Sequence, residues 1–220
     1  MWKGKKRMEN KEIIEILKEK FRYLYITRDK TILEEQISLL TEIELEILKT
    51  KRRYIAEQDE QSANLWLSFG CLVKAIINGL RMFVLLKDGD PDNAWICLIE
   101  AQNNASWSID AHEFNKDIQV GYISFFDGIE KWLFPPQTFL SSSMVVGRSE
   151  CSICKKDMLD CNHIRGQCYM GEFCYEIATK IERVNHAAIV FHPADKKCRI
   201  THTGNTDPPK LNMMTLKMDE

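Results

Sequence analysis

The run CSICKKDMLDCNH at residues 151–163 constrains this chain more than any other stretch. It spaces Cys151, Cys154, Cys161 and His163 as C-x2-C-x6-C-x-H. A structural zinc ion takes four N or S donors in a tetrahedron, and a C-x2-C turn places two thiolates on one tight knuckle. Cys161 and His163 can supply the second pair from a returning loop, and residues 155–160 are enough to close it. The spacing therefore predicts structural Zn2+ on Cys151, Cys154, Cys161 and His163. Cys168 and Cys174 lie close enough along the chain to replace one of these donors. A closed shell of four leaves no position for water, so a structural ion is favoured over a catalytic one. Three thiolates and a neutral imidazole outweigh the ion's charge, and Lys155, Lys156 and Arg165 are placed to offset the excess.

Five of the eight cysteines fall within residues 151–174. The start, MWKGKKR, is basic and leads into a charged helical pattern rather than an apolar run, so no secretory leader is expected. Cysteines clustered in that setting read as metal ligands in a reducing compartment, the cytoplasm, rather than as disulfides. Cys71 and Cys97 lie in helical patterns and read as inert small hydrophobes.

The chain has 220 residues, 45% hydrophobic and 28% charged, which is a folding composition and not a disordered one. It is long enough to bury a core without help, so the metal should organise one part only. Residues 11–25 carry Ile13, Ile14, Leu17, Phe21 and Leu24 at helical spacing. Thr31 to Glu34 reads as a capping box opening a long amphipathic helix with Leu33, Ile37, Leu40, Ile43, Ile47 and Tyr54. The two suggest a helical hairpin or a short coiled-coil arm. Residues 62–87 are apolar on nearly every side and should form the central helix. Lys74, Asn78 and Arg81 interrupt that run, and each central charge costs about 2.5–3.5 kcal/mol in a bilayer, so a core helix is preferred to a membrane span.

Asp90-Pro91 should start a fourth helix, reaching about His112. A fifth covers about 115–133, with Ile118, Tyr122, Phe125, Ile129 and Trp132 facing inward and Pro135-Pro136 ending it. Residues 134–149 read as a connector. Strand-like runs follow at 187–192 and 198–201. The fold class is therefore mainly α: a helical bundle of about five helices over 1–140, then a small zinc-stabilised α+β or β-hairpin module over 141–205. Residues 206–220 read as a mobile tail.

Net charge is −2, and no third of the chain is strongly basic. Phosphate contacts supply most nucleic-acid affinity, so composition gives no push toward that partner. The aromatic faces (Trp66, Trp95, Trp107, Phe125, Phe126, Trp132) read as core. No nucleophile elbow, phosphate-cradling glycine loop or H-E-x-x-H helix is present. His192 and Asp195 read as turn residues, and Glu100 as a rim residue beside an apolar stripe.

The segment with Cys151, Cys154, Cys161, His163, Gly166, Tyr169 and Gly171, followed by Pro193-Ala194-Asp195, resembles a zinc-knuckle segment of uncharacterised bacterial proteins and phage or prophage head-type proteins. It spans about 50 residues. Asp92-Asn93-Ala94-Trp95 and Leu98-Ile99-Glu100-Ala101-Gln102 resemble helical bundles of the HEPN type, without their ribonuclease pattern of an Arg followed four to six residues later by His. The resemblance implies a bacterial or phage setting and no reaction.

The leading expectation is a non-enzymatic zinc-binding adaptor or assembly protein that contacts a protein partner or a second copy of itself. A second reading is nucleic-acid binding through Lys155, Lys156, Arg165, Lys180, Arg183, Lys196, Lys197 and Arg199. A third, a divergent nuclease or hydrolase, requires two or three of Asp110, His112, Glu113, His186, His192 and Asp195 to converge in one cleft.

Overall fold

A computed structural model describes residues 8–26, 28–204 and 210–218. The basic start at residues 1–7 lies outside them. Five α-helices come first among the described residues: α1 Asn10–Lys20, α2 Lys30–Ala56, α3 Glu60–Lys87, α4 Pro91–Ala111 and α5 Lys116–Leu133. The strands follow: β1 Phe139–Cys151, β2 Cys168–Tyr169, β3 Glu172–Phe173, β4 Glu176–Val190, β5 His202–Thr203 and β6 Leu211–Asn212. They pair antiparallel as β1-β4, β2-β3 and β5-β6. The mainly helical bundle with a small β part is the class the sequence implies.

The helix starts follow their capping residues. Asp90 accepts from the Asn93 amide with Pro91 in the first turn, and Asn115 accepts from Ile118. At α2 the cap is Asp29, which accepts from Thr31, and not the Thr31–Glu34 box. Aspartate one residue ahead of the helix satisfies the free amides before threonine can. The first helix ends at Lys20, and Phe21–Tyr23 continue as one 3-10 turn.

Helix α3 is the axis. Among the described residues it is the one helix long and apolar enough to span a membrane by length and composition. Here Trp66, Phe69, Leu72, Val73, Ile76, Leu80 and Phe83 are buried among the other helices. Helix α2 lays Leu33, Leu40, Ile43 and Ile47 on α3, so it packs into the bundle and is not a projecting arm. Tyr122 of α5 donates to Leu17 O of α1 (2.6 Å), and burial keeps its phenol protonated. Gln119 Nε2 lies 3.2 Å from both Ser68 Oγ and Ser108 Oγ, a buried polar link between α3, α4 and α5.

Gly79 permits the closest approach in this core. A Cβ there would sit 2.6 Å from Phe126 Cε1 and 2.9 Å from Leu24 Cδ2. Gly79→Ala gains about 1 kcal/mol of helix propensity but overpacks at about 1–3 kcal/mol, and Gly79→Leu has no comparable offset. Urea unfolding should give a lower midpoint for Gly79→Leu than for Gly79→Ala, with both below wild type. A stabilised leucine variant would contradict the packing.

Two aromatic expectations need correction. Trp132 is 79% exposed because it lies on the outward side of α5, whose last turn buries Ile129 and leads into the buried Phe134 instead. Trp107 is half-exposed at a cleft described below. Phe126 is the fully buried member of the Phe125-Phe126 pair, while Phe125 packs edge-on against Phe21.

The stretch read as a connector is instead a strand. β1 is 13 residues long and pairs with β4 from Phe139↔Val190 to Cys151↔Glu176, with bulges along the way. Serine and glycine mask the alternating pattern of β1, so the stretch looks like a boundary in sequence. Residues 152–175, which hold the Cys and His residues, are the tip of this ribbon.

The ribbon is tied to the helices at both ends. At its root, Phe139 packs on Trp95, which also meets Phe134 and donates from Nε1 to Lys196 O (3.0 Å). At its tip, Phe173 lies against Trp107 of the same helix, with ring centroids 6.3 Å apart. Twelve helical residues separate the two tryptophans by about 18 Å, whereas β1 alone rises about 43 Å. The ladder carries register shifts between Ser143 and Ser149, the kind of irregularity at which a strand can bend.

The expected mobile tail falls partly outside the described residues, at 206–209 and 219–220. Residues 210–218 fold back. β6 pairs with β5, Met214 is buried, and Gln137 Nε2 points at its sulfur. Asn212 Nδ2 donates to Asp92 Oδ2 (2.9 Å), and the buried Arg199 guanidinium pairs with the other oxygen. A polar, Met-containing segment looks loose in sequence because its partners Gln137 and Asp92 lie 77 and 120 residues away.

Asp92 gives this corner a pH dependence. Partial burial raises its pKa, but the donors Asn212 and Arg199 outweigh that and hold it below the ordinary carboxylate range. A depressed folded pKa stabilises fully above the unfolded value, about 3.9, and the contribution fades as pH falls through the folded value. Asp92→Asn should therefore unfold more easily than wild type at pH 7, and the gap should close as pH falls below the unfolded carboxylate value and on through the depressed folded one. A gap that stays constant across that range would refute the carboxylate's role.

Candidate metal centre

Each donor is placed by its own local turn. Cys151 ends β1, and the chain then doubles back: Lys155 N donates to Cys151 O and Cys151 N to Lys156 O, both at 2.9 Å. Lys155 adopts a positive φ of 59° to make that return. The Ile153 amide points at Cys151 Sγ (3.4 Å). A 3-10 turn, Met158–Asp160, capped by Asp157, carries the chain to Cys161. There the His163 amide points at Cys161 Sγ (3.1 Å). Two amide-to-sulfur knuckles thus face each other; the His163 amide favours the Cys161 thiolate, but desolvation and the neighbouring Cys151 and Cys154 push that thiol up to about 11.

All four donor atoms lie within 4.8 Å of one another, and this is the one such group of three or more His, Cys, Asp or Glu side chains among the described residues. Cys154 Sγ and Cys161 Sγ are 3.5 Å apart. His163 Nδ1 is 3.3 Å from Cys161 Sγ and 3.7 Å from Cys151 Sγ. The described cysteines are free rather than bridged. The group can hold a metal ion.

The two remaining nearby cysteines differ. Cys168 Sγ donates to Asn64 Oδ1 on α3 (3.0 Å), and burial pushes its thiol up to about 11. It serves the docking of the tip and points away from the cluster. Cys174 is buried and its Sγ lies 3.7 Å from Cys151 Sγ, at the margin of the group of four. Burial and the neighbouring Cys151 raise its pKa. Cys151 itself is lowered to about 6: desolvation opposes this, but the Cys154 and Ile153 amides and the Cys161 and Cys174 thiols outweigh it. Cys71 is pushed by burial up to about 12, and Cys97 is also raised, so both stay thiols.

The tip is fixed from outside. Tyr169 sets its ring edge-on to His163, with centroids 4.6 Å apart, and its hydroxyl accepts from Ile164 N. β2 and β3 join through Met170-Gly171, both at positive φ as a tight two-residue hairpin turn requires. Gly171 N donates to Asn64 Oδ1 (2.7 Å), and its carbonyl accepts from Lys51 Nζ (2.8 Å). Met170 N donates to Glu60. Burial lowers the Lys51 pKa, so this cation belongs to the docking contact. Sequence reading missed Lys51, Glu60 and Asn64. Their one signal is polarity beside otherwise apolar helical faces.

Beneath the tip lies a cleft of about 880 Å³, lined by Lys51, Trp107 and Asp110 from the helices, Val146 from β1, and Arg165 and Phe173 from the tip. Burial raises the Asp110 pKa. The other residues singled out for catalysis do not gather there. His112 sits at the end of α4, with its carbonyl turned to Gln119. His186 lies on β4 opposite Ser143, and Asp195 accepts from the Lys197 amide. No protein-family model, no curated protein and no solved structure matches this chain.

Proposed function

We propose that the chain is a non-enzymatic adaptor or assembly protein whose β-ribbon tip is held in shape by a structural zinc ion, in a cytoplasmic, bacterial or phage setting. The single observation behind this is the group of Cys151, Cys154, Cys161 and His163. Zinc bonds of about 2.3 Å to sulfur and 2.0–2.1 Å to nitrogen imply tetrahedral edges of about 3.8 Å for S–S and 3.5 Å for S–N. Three of the six donor separations, 3.3–3.7 Å, lie close to those edges, and all six lie within 4.8 Å. A soft, thiolate-rich set suits zinc better than magnesium or calcium. Cys174 is the substitute donor, since its distance to Cys151 matches an S–S edge equally well.

In this reading zinc clamps the end of β1 and the turn after it to the loop at Cys161–His163. The clamp keeps Gly171 and Met170 aimed at Lys51, Asn64 and Glu60 of the bundle, and the protein presents the ribbon as a rigid surface for a protein partner.

Nucleic-acid binding is less well supported. Of the eight cations that reading needs, Arg165, Lys180, Lys196, Lys197 and Arg199 are each paired with a carboxylate. Paired cations release fewer counterions on meeting phosphate.

Affinity purification of the native protein, with metal analysis of the eluate, tests the proposal. One zinc per chain together with a stoichiometric protein partner supports it. A metal-free, folded chain refutes it, and so does nucleic acid retained at 50 mM salt and lost by 200 mM.

A further inference from the structure

The ribbon tip offers one more sulfur beside Cys151 than a tetrahedral ion can take. The surplus sulfur is that of Cys174. Its Sγ lies 3.7 Å from Cys151 Sγ, yet it does not belong to the group of four donors. Both side chains are buried and neither is bridged. Their backbones are joined without help from a metal. Cys151 ends β1 opposite Glu176, Ser152 N donates to Tyr175 O (3.0 Å), and Tyr175 N donates to Ser152 Oγ (2.9 Å). The two sulfurs therefore stay neighbours whatever the loop at Cys161 and His163 does. Cys174 and Ser152 also line the cleft between tip and helices, so a molecule as small as hydrogen peroxide meets the pair there. Cys168 is no rival, because its thiol is turned to Asn64.

We propose that Cys151 and Cys174 form a redox switch on the metal centre, in which hydrogen peroxide joins them in a disulfide and so removes Cys151 from the zinc. The inference rests on the zinc reading above and names how that site is regulated. Peroxide transfers one oxygen to the Cys151 thiolate, giving a sulfenic acid, and its other oxygen takes up a proton and leaves as water. The Cys174 thiol then attacks the sulfenic sulfur. The S–S bond forms, the S–O bond breaks, and the hydroxyl departs with the Cys174 proton as a second water. The two sulfurs together give up two electrons to one peroxide.

Cys174 is the partner because the attack needs a sulfur that no metal holds. Cys154 Sγ and Cys161 Sγ are closer to each other, at 3.5 Å, but both are donors and neither is free while the ion is bound. Closing the Cys151–Cys174 gap to a disulfide length of about 2.05 Å takes side-chain rotation. After oxidation three donors remain, too few to close the shell. The new bond keeps the end of β1 beside Cys174, while the loop through Cys154, Cys161 and His163 loses its anchor. A dithiol reductant reverses the change.

The test treats the zinc-loaded full chain with hydrogen peroxide beside a colorimetric zinc chelator, then maps its unreduced peptides by tandem mass spectrometry. Wild type should release its zinc, carry Cys151–Cys174 as the main disulfide, and rebind zinc after a dithiol reductant. Cys174→Ser should hold one zinc when reduced and release it about tenfold more slowly. Release from that variant at the wild-type rate overturns the switch. So does a wild type that keeps its zinc in peroxide, or one whose main link is Cys154–Cys161. A reduced Cys174→Ser with native helicity and no zinc makes Cys174 a donor and also overturns it. The wild-type link decides the matter even where the variant fails to fold. Reduced wild type without zinc refutes the zinc reading itself, whereas a zinc-loaded wild type that gives any other contrary result refutes the switch alone.

Discussion

Cys154→Ser is expected to release the metal and loosen the ribbon tip, residues 152–175, while the five helices stay folded. Loss of an outer-shell partner already weakens metal affinity by about 10–100-fold, so loss of a direct donor should cost more. In small zinc domains the apparent binding energy, about 10–16 kcal/mol, is the folding energy of the domain. Here the tip has partial support from Gly171, Met170 and Tyr169, so part of its order should survive. The helices carry their own core of Trp66, Phe69, Leu72, Leu80, Phe83, Trp95 and Phe126. The expected record is sub-stoichiometric zinc, nearly unchanged helical circular dichroism, and new protease cleavage or rapid amide exchange within residues 152–175. Cys168→Ser should keep its zinc, because its thiol faces Asn64. Cooperative loss of helicity in Cys154→Ser would mean that bundle and tip are one folding unit.

Trp95→Ala should be the most destabilising single substitution in the bundle, at about 3–5 kcal/mol, the usual cost of removing a buried aromatic. Trp95 is fully buried and joins three parts of the chain. Its ring meets Phe134 at the end of α5 and Phe139 at the start of β1, and its Nε1 donates to the loop after β4. The vacated volume could not close without drawing the ribbon's root away from α4, so the cavity term should persist. Trp95→Phe keeps most of the packing but leaves Lys196 O without its donor, and should cost less. Urea unfolding of both variants would check the order. A Trp95→Ala protein within about 1 kcal/mol of wild type would place the ribbon's anchor elsewhere.

Much of this architecture was legible from local chemistry. Asp90-Pro91 and Asp88-Gly89 bracket a helix junction whatever surrounds them, since capping and φ restriction act within four residues. The all-round apolar surface of 62–87 can be satisfied only at the centre of a bundle. The knuckle spacing brought Cys151, Cys154, Cys161 and His163 together because each turn is fixed by its own amides. Where two local signals competed the reading erred, as at α2, where Asp29 displaced the capping box.

The rest depended on distant partners. β1 reads as a linker because its serines and glycine have weak strand preference, and only the ladder to residues 176–190 makes it a strand. Residues 210–218 look like a tail until Asp92 and Gln137 are placed beside them. Trp107 and Trp132 read as core because helical spacing reports which residues share a face, and not where a neighbour stops covering it. Lys51 and Asn64 became docking residues only when Gly171 arrived from the far end of the chain. Interactions within about one turn are written in the order of the residues, so the helices and the metal knuckles could be read directly. Contacts between distant parts of the chain, from 25 residues apart at Cys151↔Glu176 to 120 at Lys51 and Gly171, are set by packing of the whole chain, and these decided the ribbon and the cleft.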